Sequence, residues 1–244
     1  MKNAAIVIVT SIMLLTIVSC EDMMGDFLEK APGVDVTEDT IFSSRSQVEM
    51  FLASIYEYGV HSNLGLGSPD NGAPAIANSA GTIDAGATDE AEACANWYDP
   101  QKWNNASVSP DNTDDPRFSH RFTAIRKVTV MLDRVDEVPD ITKEYANQLK
   151  AESKFIRALN YFEMFKRYGG VPIIDHRLQL DENLKIPRSS VEDVVNFIVK
   201  VCDEAIPDLP INQLGVLRGR ATRGAALALK ARTLLYAASD LFNT

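Results

Sequence analysis

Cys20 is the residue with the clearest chemical prospect. It follows Ile17-Val18-Ser19, and before those an apolar run from Ala4 broken only by Thr10, Ser11 and Thr16. A basic start at Lys2, an apolar centre and a small residue ahead of the cut are the features a signal peptidase reads. The run is too short for a comfortable membrane span of about 20 residues. The thiol could take a diacylglycerol, and the new amino terminus a further acyl chain. Each buried methylene contributes about 0.8 kcal/mol, so two or more chains hold a protein on a membrane. The expectation is a lipoprotein signal peptide over residues 1–19, with lipidation at Cys20.

A second group is Trp97, Tyr98 and Trp103, with Asp99, Asn104 and Asn105 interleaved. Sugars present flat faces of C–H groups rimmed by hydroxyls. Aromatic rings match the faces at low entropic cost, and Asp, Asn and Arg match the rims. The tryptophans could equally anchor an irregular segment onto neighbouring helices. A loop position favours the binding role. Trp97, Tyr98, Trp103 and Asn104 are therefore the candidate ligand contacts.

Other constellations are weaker. Asp84, Asp89, Glu90 and Glu92 could supply the paired carboxylates of a glycoside hydrolase, but acidic residues are common throughout the chain. A structural role, such as capping a short helix, suits Asp89-Glu90. Asp111, Asp114 and Asp115 lack the alternation and the glycine of a calcium loop; acidic residues at a helix start account for them. His61, His120 and His176 have no metal-ligand spacing and read as surface or loop residues. No Gly-x-Ser-x-Gly elbow, phosphate loop or Cys-x-x-Cys is present. No catalytic site, metal or cofactor is expected.

Composition narrows the partners. The formal charge is −10, and removing residues 1–19 deletes only Lys2, leaving −11. Such an acidic chain argues against nucleic-acid binding, which needs a basic face, and against direct attraction to anionic lipid heads. The membrane link is assigned to the lipid anchor. Of the three cysteines, Cys94 and Cys202 remain after acylation. They could pair in an oxidising compartment, but Cys202 falls on the core face of a helix and reads as a free, buried thiol.

The elements that must carry these residues are helical. Residues 20–40 read as an acidic, acylated tether. Ser46-Gln47-Val48-Glu49 suggests a capping box, followed by a stripe of Val48, Phe51, Leu52, Ile55 and Tyr58. Residues 61–86 are rich in Gly, Asn, Ser, Pro and Ala, and a loop that long is usually functional or disordered. A helix is predicted from Asp114 to Glu137 with Phe118, Phe122, Ile125, Thr129, Leu132 and Val135 buried. Another runs from Thr142 to Tyr168 and stops at Gly169-Gly170 and Pro172. Ser189-Ser190-Val191-Glu192 suggests a second capping box before a helix that Pro207 ends. Thr222 caps a last helix reaching Leu241, apolar almost all round and so needing partners on more than one side. Its Leu227, Leu234, Tyr236 and Leu241 are expected to leave an exposed apolar patch. Ala151-x3-Phe155-x2-Ala158, with a weaker copy at Ala231, Leu235 and Ala238, matches the close-packing part of a tetratricopeptide repeat. The fold class is all-α: irregular tetratricopeptide-like helical hairpins with long loop insertions.

Four stretches, taken together, resemble the SusD/RagB family of outer-membrane lipoproteins of Bacteroidetes. They are the Cys20 signal followed by Asp26-Phe27-Leu28-Glu29 and Pro32; Ala151 to Ala158 running on to Tyr161-Phe162; Tyr168-Gly169-Gly170-Val171-Pro172; and Gly219-Arg220-Ala221-Thr222-Arg223 continuing through Arg232 to Leu241-Phe242-Asn243. Glu21 and Asp22 resemble the signal that sends such lipoproteins to the cell surface. The resemblance implies a non-catalytic lid that captures an oligosaccharide against a SusC-like TonB-dependent transporter in the outer membrane. A peptide-binding lid and a surface glycoside hydrolase are the alternatives. It also implies that residues 41–244 are the N-terminal helical domain, cut before a C-terminal half.

Overall fold

The computed structural model describes residues 37–61, 87–89, 91–92, 103–109, 118–179 and 181–243. The chain divides into two compact units, residues 1–41 and residues 42–244. In the first, the described part is one helical turn, Glu38–Ile41, whose entry is capped by Thr37: its Oγ1 accepts from Thr40 N at 3.3 Å. Cys20, and with it the signal and most of the tether, lies outside the described residues.

Among its described residues the second unit has five α-helices: α1 (Arg45–Tyr56), α2 (Phe118–Arg134), α3 (Lys143–Tyr168), α4 (Val191–Ala205) and α5 (Arg223–Ala237). Contacts at the helix ends fix their directions. Phe118, at the start of α2, meets Tyr168 at the end of α3, and Asp136 just after α2 pairs with Lys150 early in α3. Lys154 of α3 pairs with Glu204 at the end of α4, while Val171 O, just after α3, accepts from Ser189 N just before α4. Arg223 at the start of α5 donates to the carbonyls of Ile206 and Pro207, which follow α4. Each helix from α2 to α5 is thus antiparallel to the one before it. Lys127 of α2 reaches Ser54 of α1, and Tyr58 after α1 meets His120 near the start of α2, so α1 and α2 are antiparallel too. This is the all-α hairpin architecture read from the periodicity. The described residues between α1 and α2 include an antiparallel ladder of two residues a side, Ala87–Thr88 with Ala91–Glu92.

The main core lies where α3 meets α2 and α4. Ile125, Ala158, Phe162, Phe165, Val194 and Ile198 are among its buried members. Ala151 and Ala158 are buried, and Phe155 between them joins both this core and a smaller cluster of Ala205, Leu209 and Ala226. Small residues let the helices approach, and the phenylalanine fills the groove, as the repeat pattern predicts.

Several boundaries differ from the pattern. Ser46 is not a cap: α1 begins at Arg45 behind Ser44, and Glu49 binds the Arg45 guanidinium at 2.8 Å and the Tyr145 hydroxyl at 2.6 Å. The second capping box exists but is shifted by one, with Ser190 and Asp193 as its members. Thr222 caps α5 as predicted, and Thr142, expected as the start of α3, is its cap. The buried face of α2 keeps Ile125, Thr129 and Val135 but also takes in Arg121, while Phe118 sits at the rim. His120 is a helix residue whose ring packs edge-on against Tyr58, not a loop histidine. Asp89 lies exposed in the turn of the two-residue ladder, so it caps no helix there. The last helix stops at Ala237, short of the expected Leu241. Leu227 and Leu234 on α5 and Leu241 after it are exposed, and so is Leu235 of the weaker repeat copy. Tyr236 instead turns inward, edge-on against Phe162.

Candidate functional site

Trp103 and Asn104 stand on a short helical turn. The Ala106 amide donates back to Trp103 O at 3.2 Å, and Ala106 takes a positive φ of 58° to leave the turn. Asn105 accepts from the Ser107 amide at 3.1 Å, so its side chain braces the turn. Trp103 is 53% exposed, and Asn104 beside it is exposed as well. These neighbouring exposed residues are of the types that match a pyranose face and its hydroxyls. Trp97 and Tyr98 lie outside the described residues, as do Cys94, Asp84, Glu90, Asp111, Asp114 and Asp115. Among the described residues no cluster of His, Cys, Asp and Glu could hold a metal ion. His176 is exposed and hydrogen-bonds Asp175 at 2.9 Å; that bond raises its pKa.

A separate feature is a framework of buried polar side chains from α3. Glu152 is fully buried. It accepts two bonds from the Arg220 guanidinium, at 2.7 and 2.9 Å, one from Tyr56 at 2.8 Å, one from Gln148 at 2.9 Å and one from Gln213 at 3.3 Å. The Tyr56 hydroxyl in turn accepts from the Ala221 amide at 2.7 Å. One carboxylate therefore ties α1, α3 and the segment before α5 together. Burial, then the neighbouring Glu152 charge, drives the Tyr56 pKa well above its usual value. Burial alone would lower that of Arg220, but its bonds to Glu152 outweigh this and raise it.

Arg157 and Tyr161, one and two turns further along α3, repeat the device. Arg157 donates to Thr129 Oγ1 at 2.7 Å and to Asp175 O at 3.4 Å. The Tyr161 hydroxyl accepts from the Ile174 amide at 2.7 Å and donates to its carbonyl at 3.3 Å. Burial pushes the Tyr161 phenol up to about 12, which keeps it a neutral donor.

The turn between α3 and α4 is closed just as tightly. Gly169 takes φ +67°, and a Cβ on Gly170 would lie 2.1 Å from Ser189 O. Arg188 donates to the carbonyls of both Tyr168 and Gly170. Sequence reasoning singled out these stretches but gave Glu152, Arg157 and Arg220 no role. The available signal was a Glu and an Arg on the apolar face of a helix, where a charge must find a partner.

Comparison with known proteins agrees with this architecture. A family model described as SusD-like, starch-binding associating with outer membrane, matches residues 26–235. SusD-like protein P25 of Formosa agariphila is 26% identical over 231 residues, 93% of this chain and 42% of that protein. The crystal structure of a SusD-like protein from Bacteroides fragilis superposes with a TM-score of 0.61 at 31% identity, over 85% of this chain and 38% of that one. A laminarin-binding SusD-like protein shares the fold with a TM-score of 0.59 at 22% identity, over 80% of this chain and 41% of that one. The chain spans about two-fifths of the length of these relatives.

Proposed function

The chain belongs to the SusD-like family, and from that premise we propose that it is a non-catalytic glycan-binding lipoprotein of the outer-membrane surface. Acyl chains on Cys20 hold it there. It acts as the lid of a SusC-like TonB-dependent transporter and captures oligosaccharides for uptake. The observation that carries the reading is the family match across residues 26–235. The exposed Trp103 beside Asn104 gives that reading a local contact surface, and Trp97 and Tyr98 are proposed to extend it. Glycan capture requires no bond to be broken, only a platform and a rim.

Affinity electrophoresis in gels containing starch, laminarin or other polysaccharides tests it. At least one polysaccharide should retard the full-length protein. Trp103→Ala should weaken that retardation by about 1 kcal/mol or more, roughly fivefold or greater in affinity, without changing the melting temperature. A mobility unchanged by every polysaccharide, or retardation indifferent to Trp97→Ala and Trp103→Ala together, would refute the assignment.

A further inference from the structure

The turn that carries Trp103 holds a backbone conformation that its residue types do not favour. Ala106 has φ +58°, and among the described residues it is the one non-glycine residue at positive φ. A Cβ disfavours that left-handed region by roughly fivefold or more against the right-handed one. Glycine, Asn and Asp are its usual occupants. Such strain persists only where neighbouring groups hold it, and it gathers where a side chain must be presented in one geometry. We infer, resting on the proposed role of Trp103 as a glycan contact, that Asn105 is its positioning residue, holding the strained turn that sets the Trp103 backbone before ligand arrives.

Burial does not account for the strain. Residues 103–107 are all exposed, so no place in the core fixes Ala106 at positive φ. Two hydrogen bonds within the turn hold it. Ala106 N donates to Trp103 O at 3.2 Å, which closes the turn on the residue that carries the indole. Ser107 N donates to Asn105 Oδ1 at 3.1 Å. The second bond spans Ala106, joining the residue before it to the residue after it. An Asn side chain bonded two residues onward in this way mimics a backbone turn and restricts the torsions it encloses.

The benefit lies in binding. An exposed ring that must be ordered when ligand arrives loses part of its stacking energy to that ordering, and a turn already fixed avoids the loss. Affinity is therefore expected to follow two local properties, an acceptor at position 105 and tolerance of positive φ at position 106. Neither property requires those residues to touch the sugar.

Affinity electrophoresis of the full-length protein tests this, in gels containing starch, laminarin or other polysaccharides. Hydrogen exchange of the peptide spanning residues 103–109, without ligand, is the second readout. Asn105→Ala should weaken retardation by about threefold or more and speed exchange in that peptide, with the melting temperature unchanged. Asn105→Asp keeps the acceptor and should restore both. Ala106→Val, β-branched at a positive φ, should weaken retardation to a similar extent, and Ala106→Gly should keep it within about twofold of the wild type. Wild-type retardation of Asn105→Ala and Ala106→Val, while Trp103→Ala weakens it, overturns the positioning and leaves the glycan contact standing. A loss in Asn105→Ala that Asn105→Asp does not restore overturns the positioning as well. Retardation indifferent to Trp103→Ala removes the contact itself, and the positioning with it. Wild-type mobility unchanged by every polysaccharide overturns both.

Discussion

Replacing Arg220 with Met tests how much the buried carboxylate framework contributes. Glu152 is fully buried and receives five hydrogen bonds, two of them from the Arg220 guanidinium. Removing one member of a buried pair costs about 3–5 kcal/mol, because the remaining charge loses its compensation. Tyr56, Gln148 and Gln213 still donate to Glu152, which places Arg220→Met near the lower end, about 3 kcal/mol. For a unit of this size that lowers the melting temperature by about 10 °C. Tyr56→Phe removes a bond to the carboxylate and strands the Ala221 amide, for about 1–3 kcal/mol. The double variant Glu152→Met, Arg220→Met removes both charges and should recover most of the loss. Urea unfolding followed by far-ultraviolet circular dichroism gives all three values. A loss below about 1 kcal/mol for Arg220→Met, or a double variant no more stable than Arg220→Met alone, would show that Glu152 and Arg220 do not act as a compensated pair.

Two further outcomes follow from the packing. Gly170→Ala drives a Cβ to within 2.1 Å of the Ser189 carbonyl, and backbone cannot yield as a side chain can; a loss of about 3 kcal/mol is expected, and a wild-type unfolding midpoint would contradict it. Burial pushes the Cys202 thiol up to about 12, so its contribution to stability is present below the unfolded thiol pKa near 8.5 and is lost as pH rises toward 12. Cys202 should resist thiol reagents at pH 8 until urea unfolds the chain, and peptide mapping that finds it labelled at the native rate of an exposed thiol would refute the burial argument.

The helices and their order were readable because each buried face repeats at helical spacing. The core of α4 is the clearest case: Val194, Val195, Ile198, Val201 and Cys202 are all buried, as the pattern requires. Cap positions were readable only to within one or two residues. Ser44 and Ser46 flank the same start, and Ser189 and Ser190 the other, so the choice depends on tertiary contacts. Glu49 shows this: its pairing with Tyr145, nearly a hundred positions away in sequence, takes it out of the cap. The partner of Glu152 was unreadable for the same reason, since Arg220 approaches from across the fold. Of the proposed ligand contacts, the structure places Trp103 and Asn104 exposed on one turn. Nothing in residue spacing could say whether that ring faces water or core, because a single loop aromatic has no period.

The stretches that made the family recognisable are, in this chain, mostly clamps. Glu152 holds the segment before α5, Arg157 holds α2 and the strap through Asp175, Tyr161 holds Ile174, and Gly169-Gly170 let the chain turn beneath Ser189. Each is a buried polar group or a glycine at a forced turn, and each fails if the partner or the conformation changes. Exposed residues face no such demand. Trp103 at one turn and Val216 at another can be exchanged at small cost to folding. The proposed ligand surface is therefore expected to sit where the scaffold tolerates change, on loops anchored by clamps. The motifs name the scaffold, and the ligand must be sought in the positions they leave unconstrained.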